Sequence, residues 1–442
     1  MNSKAFRIAV VIAAAIAASG CNPFKKSTPK TPIVGERIAV LTTESDVEVD
    51  PTTAALPMTL PVPIANSEWT QSGGDASKSL GHVALGESLG EAWQVSIGQG
   101  TSLAARLAAA PVVGGGRIYT IDTTATVRAF DAQSGAAVWS TQFGTERRNE
   151  GALFGGGVAY DNGRIYATNG LGFVAALDAT NGGVVWQVRR GGPLRGSPTV
   201  AGDALYVMSQ DNQIYSLKTA DGSTGWSQAA ALEIAGVFGV ASPAFAQGTI
   251  VAGFSSGELN AYRYENGRVV WQDALARTSI RTSVSSLSDI DAAPVIDSGQ
   301  VIAIGQGGRM VALELISGQR MWELNLAGIA TPWVAGDWVF VVTDDAKVLA
   351  IARATGKIRW INQLPQFRNQ KGKSGLISYV GPVLAGGRLI VAGSNGAIIN
   401  INPVDGSFQN QTGVKAPVRL PPVVANSTLY LLDEDGRLHA FR

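Results

Sequence analysis

Two carboxylates stand two positions apart in SLSDIDAAPV, residues 286–295, as Asp289 and Asp291. Such a pair can ligate a hard cation, share a proton for acid–base chemistry, or offer charge to another protein. Alone it has too few ligands for a metal and no evident reacting partner. The rest of the chain adds little to a catalytic reading. Its only histidines are His82 and His439 and its only cysteine is Cys21, a count that excludes the usual His/Cys zinc sites and a Cys-His nucleophile and argues against a Ser-His-Asp triad. Both histidines read as surface or turn residues. KGKS, 371–374, has the tail of a phosphate-binding loop, but Phe367 occupies the place of its leading glycine, so the stretch reads as a flexible loop. DEDG, 433–436, opens like a calcium loop but lacks the later ligands and reads as a turn.

The 442 residues are 45% hydrophobic and 16% charged, with 53 glycines, a glycine-punctuated β profile rather than that of a helical bundle. Thirty-five basic against 34 acidic residues give a net charge of +1, so no global field draws the protein onto nucleic acid or anionic lipid. Lys4 and Arg7 precede an apolar run from Ile8 to Ala18, which is too short to span a bilayer and reads as a secretory signal over 1–20. Cys21 follows small residues and resembles the lipidated cysteine of a bacterial lipobox, although Ala18 stands where leucine is usual. The alternative is an ordinary signal peptide and an incidental free thiol, which an oxidising compartment disfavours. Asn22 after the cysteine implies, by resemblance to the lipoprotein sorting rule, the outer membrane. Residues 21–65, rich in Pro and Thr, read as a tether, within which GERIAVL is apolar enough to dock as a strand.

The elements that would position any site come from a repeat. A frame beginning at Pro111 recurs from Val158, Pro198, Pro243, Pro294, Pro332, Pro382 and Pro422. Twenty-four residues after each of the first seven starts stands a glycine, from Gly135 to Gly406, and four residues later a tryptophan: Trp139, Trp186, Trp226, Trp271, Trp322 and Trp360, with Asn410 the exception. Each frame reads as four short strands with the glycine in a hairpin turn that needs positive φ. Units this small cannot bury a core alone, so the expected fold is all-β, an eight-bladed β-propeller of four-stranded antiparallel blades over 66–442. The eighth frame ends after its third strand. EAWQVS, 91–96, matches VVWQVR, 184–189, so an N-terminal strand should close the ring and hide its edges.

Blades of the form G-R-I-Y … V-x-A-x-D-A-x-x-G … W resemble the repeats of pyrroloquinoline-quinone enzymes and of their non-enzymatic relatives, the BamB lipoproteins of the β-barrel assembly machinery. The enzymes would be expected to carry a neighbouring cysteine pair and a carboxylate-lined calcium site, and this chain has one cysteine. The resemblance to BamB implies a lipid-anchored, periplasm-facing scaffold with no bond chemistry and no cofactor. Its implied partners are the POTRA domains of BamA, other subunits of the machinery and unfolded β-barrel clients. The rival is a periplasmic quinoprotein oxidoreductase using the central cavity. PLRGSP, 193–198, and SDIDAAP, 288–294, resemble the segments with which BamB proteins contact BamA, which implies partner-binding roles for Leu194, Arg195, Asp289 and Asp291. Gly192 stands where the family often has a further leucine.

Arg195 and Asp291 each lie three residues before their frame's proline, so both belong to loops that emerge on one face of a propeller. Opposite charges there, with Leu194 beside them, make a docking surface. Reversing such surface charges would leave thermal stability near that of the native chain. The other reading of the same residues is local: the aspartates cap a turn and Arg195 pairs with them.

Overall fold

The computed structural model describes residues 47–145, 156–232, 241–275 and 288–442. Eight four-stranded antiparallel sheets follow one another along the chain, and in order they are blades 1 to 8. Blade 1 runs from Val112–Gly114 to Ala137–Gln142, blade 3 from Leu194–Ala201 to Thr224–Ala229, blade 5 from Val295–Asp297 to Arg320–Leu324, and blade 6 from Trp333–Ala335 to Ile358–Gln363. Blade 8 takes three strands from Val423–Phe441 and its fourth, Glu91–Ser96, from the other end of the chain. The expected eight blades and strand closure are therefore both present.

Residue choice follows position in the blade. Inner strands are buried on both faces and run apolar throughout, as in Trp338–Val342 of blade 6. Outer strands alternate, as in Ala137–Gln142 of blade 1, because one face meets water. The tryptophan sits third on the outer strand and docks onto the next blade. Each of seven indole Nε1 groups donates to a carbonyl in the following blade's last hairpin turn, at 2.7 to 3.1 Å. The repeat glycine of that turn has φ between +69° and +76°, and a Cβ there would lie 2.5 to 2.8 Å from the indole. Glycine is thus required twice over, by backbone conformation and by the ring above it. Tyrosines of the inner strands flank the same indoles, so that Trp226 lies 5.8 Å from Tyr206 and 5.9 Å from Tyr262.

Ahead of the closing strand the chain forms a strap. Asp50 caps the short helix Pro51–Ala55, which lies on the outer strand of blade 6, held by Asp50 N–H to the Ile358 carbonyl at 2.9 Å and by Arg359 to the Thr53 carbonyl at 3.1 Å. The part of the 21–65 segment that is described, 47–65, is therefore packed on the body rather than free. GERIAVL and Cys21 lie outside the described residues. Residues 66–83 then cross one end of the propeller axis. They bond to Asn426 of blade 8, Val113 of blade 1, Tyr160 of blade 2, Val200 of blade 3, Phe245 of blade 4, Ile296 of blade 5, Trp333 of blade 6 and Leu384 of blade 7. The strap closes the axis by touching every blade.

Both histidines are buried rather than at the surface, because each ties distant segments together. The His82 Nε2 accepts from the Gly387 N–H at 2.9 Å, which leaves Nδ1 to donate to the Pro61 carbonyl at 2.7 Å. The His439 ring sits between Asp433 at 3.0 Å and Glu91 of the closing strand at 2.9 Å. Burial lowers its affinity for a proton, but these carboxylates outweigh burial and hold its pKa above the usual imidazole value. DEDG is a turn, with the Asp433 carboxylate accepting from the Arg437 N–H at 2.9 Å. KGKS forms the end of a two-stranded hairpin, Phe367–Asn369 with Ser374–Leu376, rather than an open loop.

Candidate functional site

In antiparallel blades the lead-in loops and the turns between second and third strands share one end of the propeller, here called the mouth. The last hairpin turns and the strap lie at the other end. Leu194 and Arg195 start the innermost strand of blade 3, and Asp289 and Asp291 lie in the loop before blade 5. Strand pairing in blade 3 slips between Arg195 and Thr199, with Gly196 at φ +53°. Arg195 itself stays in the ladder opposite Met208, directly ahead of that bulge.

Arg195 reaches past blade 4 and places Nη2 3.2 Å from Asp291 Oδ1. Asp291 Oδ2 accepts from Gln306 Nε2 at 3.0 Å, and the Gln306 N–H bonds the Asp289 carbonyl at 2.9 Å. The Arg195 side chain is fully buried, as is Asp289, while Asp291 is 7% exposed. Burial raises the Asp291 pKa to about 7; Arg195 opposes the rise, and Asp289 and Asp344 add to it. Asp344, from blade 6, is also raised, chiefly by burial. Burial and the neighbouring carboxylates thus favour the protonated form of Asp291 despite the guanidinium beside it.

The structure thus brings together Arg195, Asp289 and Asp291, and the local pairing open in the sequence is present. Leu194 does not join them; it is fully buried between blades 2 and 3 with Tyr166 and Val174. Charge reversal here cannot leave stability near the native value, contrary to what surface charges would allow, because breaking a buried pair costs about 3–5 kcal/mol. Sequence inspection missed Gln306 and Asp344, which stand twelve residues after Pro294 and Pro332. That shared offset places both in second-to-third strand turns at the mouth and was a usable signal.

Exposed apolar side chains at the mouth come from other lead-in loops. Leu103, Leu232 and Leu376 are 110%, 76% and 67% exposed. Within the ring of loops lies an axial cavity of about 320 Å³, floored by the strap and edged by Asp291. The mouth therefore combines a rigid charged cluster at the axis with apolar groups at the rim. This arrangement can recognise a partner, and the described part of the cluster shows no nucleophile–base pair.

Comparison with known proteins gives a consistent result. The chain is similar to BamB of Escherichia coli K12, 28% identical over 396 residues, 79% of this chain and 88% of that protein. It is also similar to BamB of Yersinia pestis, 26% identical over 355 residues with the same shares. Among solved structures, BamB from Moraxella catarrhalis matches with a TM-score of 0.68 at 20% identity, over 80% of this chain and all of that one. A quinohemoprotein alcohol dehydrogenase from Comamonas testosteroni matches with a TM-score of 0.66 at 13% identity, over 85% of this chain and 80% of that one, and shares the fold alone. The profile described as outer membrane protein assembly factor BamB matches residues 123–362 and 366–442, most of the chain, and the protein belongs to that family.

Proposed function

We propose that this protein is a non-enzymatic scaffold of outer-membrane β-barrel assembly, held to the periplasmic face of the outer membrane by lipid on Cys21 and docking the POTRA domains of BamA with its mouth. The observation that carries this reading is the convergence of Arg195, Asp289 and Asp291 at the mouth, in a family named for outer membrane protein assembly. The buried ion pair acts as a keystone that fixes the lead-in loops of blades 3 and 5 relative to each other. A partner would then meet loops already held in place, with less ordering to lose on binding. Leu194 lies in the core, so the apolar contact would come from Leu103, Leu232 and Leu376. Clients, if they bind directly, would use the same mouth or the exposed outer strands.

Pull-down of the full chain from solubilised membranes tests this reading, with BamA expected among the captured proteins. The purified chain should show no dye-linked turnover with pyrroloquinoline quinone and calcium. Saturable turnover, or the absence of BamA from the captured fraction, would replace scaffold with oxidoreductase or with another partner.

A further inference from the structure

The axial cavity contains a cation that the scaffold reading does not use. Lys78 projects from the strap at the cavity floor and is 1% exposed. Among the described residues its ammonium makes one hydrogen bond, to Thr199 Oγ1 at 3.2 Å. That hydroxyl spends its own proton on the Pro243 carbonyl at 2.6 Å. The nearby Asp75 carboxylate accepts at Oδ1 from the backbone N–H of Lys78 at 2.8 Å and the Ser77 hydroxyl at 2.8 Å, and forms no ion pair with the Lys78 ammonium among the described contacts. Two of the three ammonium donors are thus left in a buried site without a described acceptor. Burial accordingly lowers the Lys78 pKa to about 7, against a weak opposing pull from Asp75.

The cavity's carboxylates cannot serve this cation. Asp291 is held by Arg195 and Gln306, and Glu434 pairs with Arg419 at 3.1 Å. Much of the remaining wall is apolar. Trp69 and Trp333 stack at 5.9 Å and 15°, with Val380 and Leu420 beside them. Arg106, exposed at the opening, adds positive potential along the way in. A concave apolar chamber with one convergent, under-satisfied donor group is the pattern of a small-molecule site.

We propose that this cavity binds a small monocarboxylate with an apolar or aromatic body, its carboxylate on the Lys78 ammonium and its body against Trp69 and Trp333. The bound anion would supply the acceptors that Lys78 lacks, and the apolar walls would exclude water from the contact. The strap carries Lys78 and touches all eight blades, so a ligand here also stabilises the folded ring by mass action.

The probe is 3-phenylpropionate, with 3-phenylpropionamide as its neutral twin, titrated into the purified full chain and followed by ligand-observed NMR. The acid should bind saturably and at least tenfold more tightly than the amide. Lys78→Met should abolish that preference. Val380→Trp, which adds bulk to the chamber wall and leaves Lys78 in place, should remove binding of both probes and provides the test should Lys78→Met fold poorly. Equal affinity for acid and amide, binding unchanged in Lys78→Met or in Val380→Trp, or no saturable binding of the acid overturns the proposal. None of these outcomes depends on whether BamA is captured.

Discussion

Seven junctions between neighbouring blades carry a tryptophan on a glycine turn, and the junction from blade 7 to blade 8 carries Asn410. The difference follows from chain topology. A tryptophan on the outer strand docks onto the turn between the third and fourth strands of the next blade. Blade 8 has no such turn, because its third strand ends with the chain and its fourth arrives from Glu91–Ser96. With no turn to cover, the outer strand of blade 7 is exposed at all six positions, and Asn410 hydrogen-bonds Asn400 in its own blade. The break in the repeat marks where the ring is closed by two chain ends, and what holds there is different: Glu91 and Asp433 around His439, and the paired backbones of Gly90 and Arg442 at 2.7 and 2.9 Å.

The largest expected effect breaks the comparison at a tryptophan junction. Trp226→Ala removes a 9% exposed indole flanked by two tyrosines, and should lower stability by about 3–5 kcal/mol in chemical denaturation. Asn410→Ala should cost about 1 kcal/mol or less, and Asn410→Trp should gain nothing. Stabilisation by Asn410→Trp would show that the indole does not need the turn.

A second pair separates backbone strain from the docked ring. Gly267 and Gly163 have φ of +69° and +76°, but a Cβ on Gly267 would lie 2.6 Å from Trp226 whereas one on Gly163 meets nothing within 4 Å. Gly163→Ala should cost about 1 kcal/mol, from conformation alone. Gly267→Ala should cost about 1–3 kcal/mol more, since Trp226 must move. Equal losses would mean the ring is not tightly seated.

The smallest effect lies at the closure. Because the His439 pKa is raised on folding, its contribution is fully present below the ordinary imidazole range and is lost as pH rises through the folded value. Asp291 and Lys78 also titrate near 7, so the wild-type profile mixes several groups. The readout is therefore the difference between the native chain and His439→Gln. That gap in denaturation free energy should be about 1 kcal/mol or less at pH 6 and shrink toward pH 8.5. A gap that widens with pH would contradict the assignment.

The blades were legible because a tight turn and a ring stacked on it allow little freedom in spacing. Trp93 could be assigned to blade 8 for the same reason. Asn410 was visible as an exception, but its cause needed the three-dimensional order of the blades. The strap was not legible, since the Pro/Thr-rich stretch before it has the same composition whether free or docked, and residues 66–83, rich in Ser and Gly, carry no periodicity and bond partners as far away as Asn426. The histidines were misplaced for a related reason: Gly387 for His82 and Glu91 for His439 lie roughly three hundred residues off in sequence. At the candidate site the spacing from proline placed Arg195 and Asp291 on one face. Their depth was hidden, because Arg195 stands on the innermost strand of its blade, paired with Met208, where the spacing suggested a lead-in loop.

Site-specific photo-crosslinking tests the mouth as the docking face without disturbing the buried cluster. A photoreactive residue replacing Leu103, Leu232 or Leu376 at the mouth is compared, in membranes, with one replacing Ile316 or Val404 in the last hairpin turns at the opposite end. Crosslinks to BamA are expected from the mouth positions and none from Ile316 or Val404. Crosslinks confined to Ile316 or Val404 would contradict docking through the mouth.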